Sequence, residues 1–256
     1  MIHNDDNARP SQPSALPPSL EAFVHNFSSD EMLRAAANPA LTEDLALSLL
    51  QRPDLPVEAF ERLPRNGHVL KLRKVKLALA SHPHAPRQVS LPLIRQFYTF
   101  DLMNIALTPG VPADVKVAAD DLLISRLTTV TLGERLALAR RGSSRLAGAM
   151  LLDGDARVMQ IALDASRLTE TFVIQAVLRP GAKSPLIQAV AHHPKWSYRR
   201  EIRLALLRTE HLSLARTLEF SRGLPAPLLR DVLHNSRLPV RIKEQVLRES
   251  QERPAF

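Results

Sequence analysis

The chain has 256 residues, 45% of them hydrophobic and 23% charged, enough apolar surface to build a core and too much for wholesale disorder. It contains no cysteine, which excludes disulfides, thiolate catalysis and Cys-ligated zinc and fits a reducing compartment. A net charge of +8 admits nucleic acid, acidic proteins and anionic lipid as partner classes and says nothing about fold.

At the N-terminus, Pro10, Pro13, Pro17 and Pro18 stand among Asn, Ser and Asp, which predicts a disordered tail over residues 1–18. This stretch has no basic region followed by an apolar core, and no part of the chain reaches about 18 uncharged apolar residues. The expectation is a cytoplasmic protein with no membrane contact. Residues 21–27 are expected to cap the fold.

Further on, the chain repeats a short phrase, a break followed by a helix. Pro39 and Pro53 open two such units 14 residues apart, and Pro83 and Pro109 open two more at irregular spacing. Between them, residues 71–80 and 91–107 read as longer helices, and 122–138 as a Leu-rich segment broken at Gly133. From Leu152 the beat is regular: Leu152, Ser166, Pro180, Pro194, Arg208, Arg222 and Ser236 are breaks spaced 14 apart. Ten positions after each stand Ala162, Ala176, Val190, Leu204, Leu218, Val232 and Val246, all apolar, which predicts a buried column. Six positions after, Arg200 interrupts a column otherwise filled by residues such as Phe172, Leu186 and Leu228. A rotated helix with Tyr198 and Ile202 inward would explain it. Three positions after each break, residues such as Asp155, Thr169, Ser197 and Pro225 mark the helix start.

Helices of about 10 residues are too short to stand alone, so each must be sheltered by its neighbours. The prediction is an all-α fold, a right-handed α-solenoid of short antiparallel helix pairs, about 28 residues per pair and 14 per helix. It should form a single domain over residues 19–249, irregular over 19–150 and regular over 151–249, with a C-terminal tail at 250–256. Aromatics are only 4% of the chain, so burial rests on many small aliphatic contacts.

The phrase of small apolar residues, a polar residue, Pro and a Leu-rich helix, as in LALASHPHAP and IQAVAHHPKW, resembles the leucine-rich repeat variant and HEAT-like families of bacterial α-solenoids. The resemblance covers about residues 30–249. It implies a non-catalytic surface for partners and supplies no activity.

Three basic clusters stand out. Lys71, Arg73, Lys74 and Lys76, interleaved with Leu70, Leu72, Val75 and Leu77, are an anion-binding ridge or, preferably, a solvated polar face. Lys195, Trp196, Tyr198, Arg199, Arg200 and Arg203 join cations to aromatics, a pattern that suits base stacking with phosphate contact or an acidic peptide with an aromatic anchor. Trp196 alone reads better as a packed residue between repeats. Arg140, Arg141 and Arg145 flank Gly142, Ser143 and Ser144, a turn able to offer amides to an anion, with an ordinary helix-ending turn preferred.

His82 and His84, and His192 and His193, lack the spacing that brings two imidazoles together on a helix, so no metal is expected. Asp120 and Asp121 are adjacent, which is wrong for a paired acid and base, and no phosphate loop or nucleophile elbow occurs. The expectation is therefore no enzyme, no cofactor and no small-molecule substrate. The functional expectation is a scaffold whose concave helical surface receives a protein or peptide. The alternative is nucleic-acid binding through a basic groove, and less favoured still is a glycosylase of the DNA alkylation repair type, for which a single Trp is a poor fit.

Overall fold

The computed structural model describes residues 20–25 and 28–251, and among them it is all-helical, with seventeen α-helices, two single 3₁₀ turns and no strand. The expected N-terminal tail lies outside the described residues. So do Phe27 and residues 252–256, whereas Ser250 and Gln251 belong to the last helix.

The chain divides into two compact units, Met1–Gln96 with Gly110–Pro112, and Phe97–Pro109 with Ala113–Phe256. The first holds α1 (Leu20–His25), α2 (Ser29–Ala37), α3 (Glu43–Leu50), α4 (Val57–Arg62), α5 (Arg73–Ser81) and α6 (Arg87–Ile94). Within it alternate helices pack together, α1 on α3, α2 on α4 and α3 on α5. The second opens with α7 (Thr99–Leu107), α8 (Ala113–Arg126), α9 (Leu132–Arg141) and α10 (Ser144–Met150). It continues with α11 (Ala156–Asp164), α12 (Glu170–Leu178), α13 (Ser184–His192), α14 (Arg200–Leu207), α15 (Leu214–Ser221), α16 (Ala226–His234) and α17 (Val240–Gln251). Here too each of α9 to α12 packs on the helix two further along.

The breaks act as expected at most positions. A helix begins four residues after Pro39, Pro53, Pro83, Pro109, Leu152, Ser166, Pro180, Arg222 and Ser236. The local causes are turns and caps. Pro180–Gly181 and Pro109–Gly110 place glycine at φ of +79° and +82°, a region costly for any side chain. Thr42 accepts a hydrogen bond from the Leu45 amide, and Asp155 from the Arg157 amide at 2.9 Å. Side-chain and backbone hydrogen bonds from Arg157 hold the Asp155 carboxyl down at about 2.

Five expectations need correction. Residues 91–107 are not one helix, because α6 ends at Ile94 and α7 begins at Thr99. Gly133 does not break a helix. It sits in the first turn of α9, which Thr131 and Glu134 start with a reciprocal capping box, so the break falls before it. After Pro194 and Arg208 the helices start six residues on, capped by Arg199 and Ser213, not by Ser197 and His211. That delay of two residues turns α14 and α15 relative to the regular beat. Leu204 and Leu218 are only half-buried, while Ile202, Leu206, Thr217 and Phe220 are buried in their place. Arg200 therefore faces solvent, as does Tyr198, which is 75% exposed and not turned inward.

The helix starts disclose a longer period than the 14-residue beat. α2 to α8 start at Ser29, Glu43, Val57, Arg73, Arg87, Thr99 and Ala113, and α11 to α17 start 127 residues later in every case, from Ala156 to Val240. Residues agree as well. Leu41-Thr42-Glu43 answers Leu168-Thr169-Glu170, Arg52-Pro53 answers Arg179-Pro180, and Leu77-Ala78-Leu79 answers Leu204-Ala205-Leu206. Buried hydroxyls match too. Ser90 donates to the Pro86 carbonyl at 3.4 Å, and Thr217, its counterpart, to the Ser213 carbonyl at 2.9 Å. The helix plan is thus duplicated, with α9 and α10 between two seven-helix copies.

Short helices leave many carbonyls without an intrahelical partner, and the last turn of each attracts donors. Side chains about 28 residues further on supply them. Arg52 Nη1 donates to the Val24 carbonyl at 2.9 Å, Asn66 Nδ2 to Asn38 at 2.8 Å and Arg126 Nη1 to Phe97 at 2.7 Å. These bonds tie a helix end to the stretch two helices later.

Candidate binding surface

Trp196 lies in the delayed turn before α14, buried at 2% exposure. Its indole Nε1 donates to the Leu163 carbonyl at 2.9 Å, so it anchors the turn and is unable to act as a ligand platform. Lys195 projects outward with Nζ 4.2 Å above that ring. The remaining members of the cluster do share the surface. Tyr198, Arg199 and Arg200 are exposed, and Arg203 reaches back to donate to the Ser197 carbonyl at 2.6 Å with its guanidinium 5.2 Å from Phe220. Arg199 comes within 3.9 Å of Glu170. The result is a cationic ledge with one solvent-facing tyrosine.

The duplication places the first basic cluster at the same point of the first copy. Arg73 corresponds to Arg200, Lys76 to Arg203, Lys71 to Tyr198, and the buried Val69 to Trp196. Both copies spend 16 residues from one helix start to the next here, from Val57 to Arg73 and from Ser184 to Arg200. In this first ledge Lys71, Arg73 and Lys74 are exposed, Lys74 stands 3.6 Å from Glu43, and Lys76 donates to Gln96 at 3.5 Å. Beside it a hollow of about 420 Å³ is lined by Glu61, Arg65, Leu70, Gln88 and Gln96 among others.

In the third patch one amide at the start of α10 is taken by a side chain. Ser143 caps α10 by accepting from the Leu146 amide at 3.1 Å, and donates its own hydroxyl to the Asp120 carboxylate at 2.8 Å. A side chain at Gly142 would meet the Leu138 carbonyl and Leu146, so this position has no room for a larger residue. Arg145 is paired with Asp121 at 2.5 Å, while Arg140 and Arg141 are exposed.

Asp120 and Asp121 accordingly serve two different partners. Burial raises the Asp120 carboxyl above the ordinary carboxylate range, and the Ser143 hydroxyl partly offsets that rise. Ser143→Ala should therefore cost about 2 kcal/mol at neutral pH, through a lost cap and a lost donor to a buried charge. The sign with pH follows from the raised value. Burial penalises the ionised form, so the penalty sets in as pH rises above the unfolded aspartate range and disappears below it. The gap in unfolding free energy between wild type and variant should narrow as pH falls toward 4, and a gap that widens would contradict this role.

The histidines serve turns. His82 Nδ1 accepts from the His84 amide at 3.1 Å, and burial lowers the His82 imidazole below its ordinary range. His193 Nδ1 accepts from the Lys195 amide at 3.1 Å while its Nε2 stands 3.0 Å from Asp164. Among the described residues no group of three or more His, Asp or Glu could hold a metal ion, and no helix is long and apolar enough to cross a membrane.

Sequence reasoning missed one feature. Two adjoining hollows of about 360 and 310 Å³ open in the second unit and share Leu152 and Arg179. The first lies between the α10–α11 and α12–α13 turns, with Met159, Leu186 and Pro185 in its wall and Lys183 at its rim. The second is walled by Phe172, Ala176 and Ile124. Arg179 gave no signal because it is an isolated arginine in an ordinary Arg-Pro-Gly turn.

No family model, curated protein or solved structure matches the chain.

Proposed function

We propose that the chain is a non-catalytic binding scaffold, a right-handed HEAT-like α-solenoid of antiparallel helix pairs whose helical surface receives a protein or peptide partner in the cytoplasm. The packing of alternate helices supports the solenoid, because a stack of hairpins brings every second helix into one layer. One observation carries the binding role. A basic ledge recurs at equivalent positions of the two copies, Lys71, Arg73 and Lys76 in the first and Tyr198, Arg200 and Arg203 in the second, on turns of matching length. Cations at the surface cost little in folding and steer an acidic partner, and exposed Tyr198 adds an amphipathic contact.

The triple variant R73A/R199A/R200A should bind an acidic peptide of alternating Glu and Leu about fivefold more weakly in fluorescence anisotropy, with helical content unchanged by circular dichroism. Equal affinity would remove the ledges from the binding surface. Nucleic acid is the second reading, favoured by charge placement: from Ala113 onward the sequence carries 23 Lys and Arg against 15 Asp and Glu. A labelled oligonucleotide whose affinity falls by about a thousandfold between about 50 and 200 mM salt, with no peptide binding, would put that reading first.

A further inference from the structure

Resting on the scaffold reading, we infer that the hollow at Arg179 is a docking point for an acidic peptide segment carrying an aliphatic side chain next to a carboxylate. The duplication supplies an internal control. In the first copy the corresponding Arg52 is only 14% exposed, pairs with Asp54 at 2.6 Å and donates to the Val24 carbonyl. In the second copy Gly181 stands where Asp54 would be, and Arg179 is exposed, its guanidinium without a hydrogen-bond or ion-pair partner among the described residues while its carbonyl accepts from the Ala182 amide at 3.0 Å. The same arginine is structural in one copy and released in the other.

Nearby carboxylates are already engaged. Asp153, in the wall of the hollow, receives Arg135 Nη1 on both oxygens at 2.7 and 2.9 Å and accepts from the Asp155 amide. Glu210, which shares a small crevice with Arg179, stands 3.0 Å from His211. Arg179 and Lys183 therefore face the hollow as uncompensated charge above a wall of Leu152, Met159, Pro185 and Leu186. A cavity of about 360 Å³ is in the range of sites that enclose a ligand group. Its apolar wall would stay wet beneath a bare phosphate but would be covered by an aliphatic side chain while the guanidinium takes the carboxylate in fork geometry. The adjoining hollow across Leu152 gives the segment room to continue.

The test is a titration of the isotope-labelled full chain, followed by amide NMR shifts, with an acetylated and amidated peptide of alternating Glu and Leu. Shifts are expected at Leu152, Gly154, Gly181 and Ala182, and Arg179→Gln should weaken this binding about tenfold without lowering the unfolding temperature. Arg52→Gln should do the reverse, lowering stability and leaving this affinity alone. A Gln-and-Leu peptide that binds equally well, or an oligonucleotide that shifts these amides in its place, would overturn the proposal. So would shifts confined to the Tyr198 ledge, an outcome that leaves the scaffold reading standing.

Discussion

Trp196→Ala should cost about 3 to 5 kcal/mol, the largest effect expected from any single truncation in the second copy. The residue is the chain's only tryptophan and is 2% exposed, so its removal leaves the largest cavity that one substitution can open here. It also strips the Leu163 carbonyl of its donor at the end of α11. Trp196→Phe separates the two contributions, since it keeps most of the apolar area and loses the hydrogen bond, and should cost about 1 to 2 kcal/mol more than area alone predicts. Urea unfolding of the two variants measures both. A loss under about 1 kcal/mol for Trp196→Ala would mean that the delayed turn is held by other contacts.

Gly148→Ala should destabilise the protein by about 1 to 3 kcal/mol, against the usual sign for glycine in a helix. Alanine at an unobstructed helical site gains up to about 1 kcal/mol. At Gly148 a Cβ would stand 2.7 Å from the Phe172 Cβ and 3.0 Å from its Cγ, so α10 and α12 would have to move apart. Both atoms belong to the stiff root of the side chain, which leaves no rotamer as an escape. The same approach builds the floor of the second hollow, so the variant should also disturb peptide shifts there. A thermal midpoint equal to or above wild type would show that the two helices have slack.

Much of the helix plan was readable before any coordinates. Breaks at Pro39, Pro53, Leu152 and Ser166 predicted helix starts because Pro, Gly and capping residues act locally, within a turn of where they stand. The delayed turn at Trp196 was not readable, since its two added residues are returned at α16, which starts 12 residues after α15 where 14 is the rule. A fixed beat regains phase at Arg222 and conceals the slip, and the cost is the misplacement of Leu204, Leu218 and Tyr198. The duplication was legible in principle from Leu41-Thr42-Glu43 and Leu168-Thr169-Glu170, but its period of 127 residues lies far beyond the beat that drew attention. Of the candidate residues, the basic clusters were visible as composition. That two of them are one ledge repeated emerged only from the matching helix starts.

What the amino-acid sequence determined by itself is the helical class and most helix beginnings, because caps, prolines and apolar spacing operate through neighbours in the chain. Tertiary structure decided what each polar side chain is for. Arg52 and Arg179 each open an Arg-Pro turn, and the change of Asp54 to Gly181 is written in the sequence, but the carbonyl of Val24, 28 residues before Arg52, is a partner that only the packing supplies. Pairing of that kind depends on which helix is stacked on which, and no local pattern encodes it.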